Sequence, residues 1–336
     1  MKVPQTNTVR IQIEASRDTC ARDFVRVSLC NNTVHRVINP ARERMATFHA
    51  LPAGRTRVTV TRCGQIIGSK EIVIPAADVL TVVVATQDPP PSVLVTGFCD
   101  WESLEPEKNL WCCRVNTSGL LLLGKERTST TPPTAEELGH GPLSKRLRAR
   151  SDAKYHFKLL PTTWEVARSI PWASHDVVIG LGIDEELHCS IRVEVSAINF
   201  RDQIPDAAGK APSDTTGEPI DPRRECSDSL TRPELVDASL RALVGRDMAG
   251  YQLALGTARS ENAYICNETN YLSIAALQGH KKPCATMFLH TPKEDGEVAR
   301  EALATAVEST IAAFLTELRE RSVLPKVAPA TDAKRP

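Results

Sequence analysis

From residue 8 to 86, apolar and polar side chains alternate at period two, in "VRIQIE", "FVRVSL", "RTRVTVTR", "KEIVI" and "VLTVVVA". Short β-branched runs separated by Gly, Pro, Asn and Asp predict half-buried strands. Their spacing predicts a small all-β sandwich over residues 1–88. The pattern stops at "TQDPPPS", where Pro89, Pro90 and Pro91 set a stiff, extended linker over 89–92. Beyond it the period changes. "SVLVTGF", "SHDVVIGLG" and "CSIRVEVSAINF" read as buried strands, and "RPELVDASLRALVG" has helical spacing. Strands alternating with helices predict a layered α/β domain over 93–322. In its last segment Leu303, Val307, Ile311, Phe314, Leu315 and Leu318 share one stripe, so an amphipathic helix docks on that core. "PKVAPATDAKRP" predicts a disordered tail within 323–336.

Length agrees with two domains, because 336 residues exceed a typical single core. Lys plus Arg and Asp plus Glu both total 41, so there is no net field to gather nucleic acid or an anionic membrane. The short basic run "KRLRARS" lacks interleaved aromatics and reads as a solvated face. No apolar stretch is long enough to span a bilayer. The opening residues carry one Lys and no apolar run, so no secretory leader is expected. Ten Cys include no C-x-x-C pair, which fits a reducing, cytoplasmic setting better than a disulfide scaffold. No Cys/His set has ligand spacing, so no metal is expected. The N-x-T sequons at Asn31 and Asn267 matter only for a secreted chain. "GLGIDEE" is not a dinucleotide fingerprint and predicts a tight turn at the carboxyl edge of the sheet. A homo-oligomer is compatible with all of this.

Three residues carry candidate chemistry. Cys266 precedes the helix-compatible "CNETNYLSIAALQG", so it sits at a helix N-terminus after a short strand. The unpaired N–H groups there favour a thiolate and offer donors to an oxyanion. A buried, inert sulfur is the plainer reading. A thiol nucleophile needs a base, and His290 ends the apolar run "CATMFLH" 24 residues on (290 − 266). It can equally cap a strand. Glu194, flanked by Val193 and Val195, can orient that imidazole or lie on a solvent face with Arg192 and Ser196.

Taken together these segments resemble pyroglutamyl peptidase I, also called pyrrolidone-carboxylate peptidase. "AYICNETNY" is similar to the family's cysteine motif, "MFLHTP" to its histidine segment and "IRVEVSAIN" to its glutamate segment. "QIPDAAG" is similar to the Ile-Pro-Asp loop, "VLVTGF" to the opening strand and "VNTSGLLL" to the helix start, with Thr117 in place of Pro. The resemblance runs in family order over 93–322. "FHALPAGRTRVTVTRCGQ" resembles, more generically, a carboxypeptidase-regulatory sandwich.

The resemblance implies a three-layer α/β/α sandwich around a mixed sheet. It further implies a Cys266–His290–Glu194 triad that removes N-terminal pyroglutamate from peptides through an acyl-enzyme, without a cofactor. Phe98, Trp101, Tyr264 and Ile265 would line the lactam pocket, with Asn116 anchoring a loop. The departures fall around that pocket. "GFCDW" places Asp100 and Trp101 where the family has Pro and Phe, Asn262 replaces a Gly, and Gln203 replaces an Arg, with Arg201 nearby. Two other readings follow: a thiol amidase with a different N-acyl specificity, and a weakly catalytic scaffold whose sandwich recruits a partner.

Overall fold

A computed structural model describes residues 7–14, 24–29, 33–39, 43–62, 65–75, 79–85, 90–101, 110–212, 217–257, 263–279 and 282–324. Asn31, Asn262 and the tail from residue 325 onward lie outside them, as does Pro89 of the linker. The chain divides into two compact units, one within residues 1–90 and one spanning Pro91–Leu324.

The first unit is all β. Its strands are β1 (Thr8–Glu14), β2 (Val25–Leu29), β3 (Val34–Ile38), β4 (Met45–His49), β5 (Gly54–Arg62), β6 (Gln65–Ile74) and β7 (Val79–Ala85). They form two sheets, ordered β4-β1-β7 and β3-β2-β5-β6. Val9, Ile11 and Ile13 of one sheet share a core with Val27, Val58 and Val60 of the other. That is the consequence of period-two alternation. The alternation does not single out β3, where only Ile38 is buried. It is an edge strand with no inward face to write into its sequence.

The second unit begins with β8 (Ser92–Phe98), α1 (Thr117–Leu123), α2 (Pro142–Arg148), β9 (Lys154–Leu160) and β10 (Val177–Ile183). It continues through β11 (Ser190–Glu194), β12 (Ser196–Ile198), β13 (Ser229–Thr231), α3 (Glu234–Arg241) and β14 (Asp247–Met248). Then come β15 (Tyr251–Gly256), α4 (Ile265–Gly279), β16 (Ala285–Thr291) and α5 (Glu297–Glu320). Seven strands form a mixed sheet ordered β14-β15-β11-β16-β10-β8-β9. β16 is parallel to β10 and antiparallel to β11. Val93, Val95, Ile179 and Leu289 pack one sheet face against α1, α2, α3 and α5, and the six-residue stripe of α5 is buried there. Leu94, Phe98, Val178 and Phe288 pack the other face against Ile265 of α4 and Trp164. This is a three-layer α/β/α arrangement.

Three local expectations change. "CSIRVEVSAINF" is not one strand: the chain leaves the main sheet at Val195, and β12 pairs with β13 in a separate two-stranded sheet. Gly180 and Gly182 are inside β10, and the turn follows at Asp184–Leu187. No strand immediately precedes Cys266, since β15 ends at Gly256 and Ala263 and Tyr264 are irregular.

Candidate active site

His290 is the penultimate residue of β16, and Glu194 is the last residue of the neighbouring antiparallel β11. Their register sets Arg192 opposite His290 and Glu194 opposite Phe288. Side chains two apart on one strand share a face, so Arg192 and Glu194 both reach toward the imidazole. Glu194 Oε1 lies 2.8 Å from His290 Nδ1. Cys266, the second residue of α4, lies beside the same ring: its sulfur and His290 Cδ2 flank the space over Gly182, and both residues line one hollow. Helix and sheet edge therefore meet with His290 between sulfur and carboxylate.

Two glycines make that approach feasible. A methyl added to Gly182 would stand 2.9 Å from Cys266 Sγ and 3.0 Å from His290 Cδ2. One added to Gly256 would stand 2.6 Å from the Glu194 carboxylate. The 2.9 and 2.6 Å approaches are closer than real Cβ atoms show, so a side chain at either position would push the sulfur or the carboxylate aside.

The charges follow from this packing. Burial alone would lower the pKa of His290. Hydrogen bonds to Cys266 and Glu194, and their charges, outweigh it and push the imidazole up to about 9. Burial likewise opposes ionisation of Glu194, but the hydrogen bonds and charges of His290 and Arg192 hold its carboxyl below the ordinary range. Arg192 Nε donates to Glu194 Oε1 at 2.7 Å, and Nη1 pairs with Asp184 Oδ2 at 2.6 Å. Arg192 Nη2 is 3.3 Å from His290 Nδ1. With that nitrogen protonated toward Glu194, both groups are donors, so this is a contact rather than a bond.

Cys266 lines two hollows. One, about 480 Å³, is bounded by Phe98, Trp101, Ile183, Ile204, Tyr264 and Ile265, with Asn116, Thr162 and Glu185 as its polar members. All five residues expected to bind substrate are thus brought to one cavity beside the sulfur. The other, about 180 Å³, is polar and contains Arg192, Glu194, Asn270 and His290. Asn116 caps α1 by accepting from Ser118 N–H at 3.1 Å, and its amide donates to the Cys99 carbonyl at 2.8 Å. Trp164 holds the Ile204–Asp206 loop over the cavity, donating from Nε1 to the Ile204 carbonyl at 3.1 Å. Tyr264 Oη donates to the Pro205 carbonyl, also at 3.1 Å.

Two of the departures lie away from the cavity lining. Asp100 is no charge in the pocket: its carboxylate is buried and accepts from the N–H groups of Arg114, Val115 and Asn116. Arg201 does not reach the cavity either. It is buried against Glu268 of α4 and Glu218, while Gln203 is exposed. Asn267 clamps Ile198 and Phe200 through their backbone and is buried. The basic run around α2 pairs within the molecule, Arg146 with Glu301 and Arg150 with Glu308. The sequence signals missed Asp184, Glu185, Gly182 and Gly256. Gly182, Asp184 and Glu185 lie in the "GLGIDEE" stretch read as a turn at the sheet's carboxyl edge, and Arg192 left a trace in its period-two relation to Glu194. Among the described residues no group of three or more His, Cys, Asp or Glu could hold a metal, and no helix is long and apolar enough to cross a membrane.

No protein-family model matches the chain, and no curated protein matches it in sequence. Among solved structures the chain is similar to pyrrolidone carboxyl peptidase from the hyperthermophile Pyrococcus furiosus, at 20% identity and TM-score 0.47. That match covers 68% of this chain and 99% of that one. The enzyme from Thermococcus litoralis matches at 20% identity and TM-score 0.46, covering 68% and 96%. Pyroglutamyl peptidase I from Bacillus amyloliquefaciens matches at 18% and 0.40, covering 66% and 97%.

Proposed function

We propose that the chain is a cysteine peptidase that removes an N-terminal pyroglutamyl residue from peptides. The observation that carries this reading is the placement of His290 between Cys266 and Glu194, with the sulfur opening onto an apolar cavity. A small, neutral, flat lactam fits walls of Phe98, Trp101, Tyr264 and Ile265. The Cys266 thiol first gives its proton to His290, forming a thiolate–imidazolium pair, and the sulfur then attacks the exocyclic carbonyl carbon of the pyroglutamyl residue. The carbonyl oxygen becomes an oxyanion beside the first N–H groups of α4. His290 then protonates the departing amine, the C–N bond breaks, and a thioester remains on Cys266. Glu194 fixes the tautomer and stabilises the imidazolium. Water, deprotonated by His290, attacks the thioester and releases pyroglutamate and the thiol. Peptides leave toward the polar hollow that holds Arg192.

One observation favours a second reading, a thiol amidase for a different N-acyl group. Glu185 lies on the cavity wall, paired at 2.8 Å with Lys293, whose ammonium is 6.0 Å from the centre of the Trp101 ring. A charged pair at the mouth can select against or for polar acyl groups. Hydrolysis of a fluorogenic pyroglutamyl amide, with and without iodoacetamide, tests both. The pyroglutamyl reading expects thiol-dependent turnover. Turnover of other N-acyl amides with none of pyroglutamyl amide would favour the second.

A further inference from the structure

Arg232 is buried in the second unit, 4% exposed, between β13 and α3. Among the described residues no carboxylate pairs with it. All three of its guanidinium nitrogens instead donate to neutral acceptors. Nε donates to the Thr286 carbonyl at 2.8 Å and to Thr286 Oγ1 at 3.2 Å. Nη1 donates to the Glu194 carbonyl at 2.8 Å, and Nη2 to Asn270 Oδ1 at 2.6 Å. These partners are not scattered. Thr286 is on β16, four residues before His290. Asn270 is on α4, four residues and so about one turn after Cys266. Glu194 is itself the third member of the site.

We infer that Arg232 is a positioning residue for the thiol site: one rigid fork that locks together the three elements carrying Cys266, His290 and Glu194. The inference rests on reading those three residues as one site. Its physical basis is the cost of the group. A buried guanidinium without a carboxylate partner is expensive, and an apolar side chain would occupy the same place without that desolvation. What the guanidinium supplies and an apolar side chain cannot is a planar set of donors with fixed angles. The following Pro233 restricts the backbone of Arg232 to the extended region, which fixes the direction from which the fork arrives. Asn270 relays the lock outward, its Nδ2 donating to the Ser196 carbonyl at 2.9 Å on the far side of the chain's exit from the main sheet. The break between β11 and β12 is therefore held from both ends, and Glu194 sits at that break.

The test uses the full chain with Arg232→Met and Arg232→Lys. Alkylation of Cys266 by iodoacetamide is followed by peptide mass spectrometry across pH, with the exposed Cys189 as internal reference and the buried Cys113 as a reporter of unfolding. Thermal melting and turnover of pyroglutamyl amide are recorded alongside. In Arg232→Met, Cys113 should stay unlabelled. The rate at Cys266 relative to Cys189 should fall roughly tenfold or more at neutral pH, the order expected of a displaced reacting group. Its pH profile should move toward that of Cys189. Lys keeps the charge but not the fork, so Arg232→Lys should resemble Met more than wild type. An unchanged Cys266 rate and profile in folded Arg232→Met overturns the inference, as does full recovery in Arg232→Lys. Labelling of Cys113 in both variants overturns it too, making Arg232 a residue of stability alone. Wild-type protein with a fast Cys266 but no pyroglutamyl turnover defeats the proposed substrate and leaves the Arg232 comparison decisive. Wild-type Cys266 no faster than Cys189 removes the nucleophile and both readings with it.

Discussion

The two hollows that meet at Cys266 are built by different means. The polar one is walled by strand termini and ion pairs: β11 and β16 supply Arg192, Glu194 and His290 at fixed register, and Asp184 neutralises Arg192. The apolar one is walled largely by segments outside the strands, with Trp101 directly after β8 and the Ile204–Asp206 loop pinned by Trp164. On the proposed reading, chemistry is placed on the rigid sheet edge, where a small displacement would be costly. Selection of the acyl group is then left to loops, which can vary without disturbing the chemistry. Changes on the polar side should therefore abolish turnover of every substrate, and changes on the apolar side should reorder substrates.

The largest effect is expected where the hollows join. Cys266→Ser should keep its melting temperature and lose turnover by about a thousandfold or more, because a hydroxyl is a far weaker nucleophile with this base. Full activity in that variant would sink the mechanism. Next comes the polar side. Gly256→Ala forces a methyl into the Glu194 carboxylate and should lower kcat by roughly a hundredfold. Glu194→Gln should lower it at least as far, through loss of the tautomer lock. If both variants instead raise KM and leave kcat intact, the polar side belongs to binding.

On the apolar side the expected effect is smaller and of another kind. Trp101→Ala should lower kcat/KM for pyroglutamyl amide by about 1–2 kcal/mol, and Trp101→Phe should restore most of it. A loss of melting temperature with kcat/KM of the folded fraction unchanged would show that Trp101 only packs beneath its loop.

The smallest effect is that of pH. His290, raised to about 9, must hold its proton to release the amine, so log kcat/KM should bend downward above roughly that pH. Because its folded value lies above the ordinary one near 6.5, its contribution to stability is complete below that value and fades as pH climbs through about 9. Glu194 works oppositely: its lowered carboxyl contributes above the ordinary carboxylate range and loses that contribution as pH falls. Replacing Glu194 by Gln should shift the alkaline limb to lower pH. An unshifted limb would detach Glu194 from the imidazole.

The same division explains what could be read from the sequence. Strand alternation and the α5 stripe are local signals, since each residue's face follows from its neighbours. Cys266, His290 and Glu194 stood out only together, through the family resemblance of their segments, since each alone also reads as a buried sulfur, a strand cap or a solvent-face carboxylate. Gly182 and Gly256 did not stand out, because the space they leave is created by residues far away in the chain. The role of Asp100 is hidden for the complementary reason: only the fold reveals the three amides that receive its carboxylate. Arg232 carries no local mark at all, since "TRPEL" reads as a helix start. Its partners converge only once β16, β11 and α4 are assembled.

The central claim is a covalent one, and trapping the intermediate tests it most directly. The protein is mixed with excess pyroglutamyl amide, quenched in acid within the first turnovers, digested and weighed by mass spectrometry. A pyroglutamyl group on the peptide containing Cys266, absent after prior alkylation with iodoacetamide, is the predicted result. Turnover that continues with Cys266 fully alkylated would contradict it.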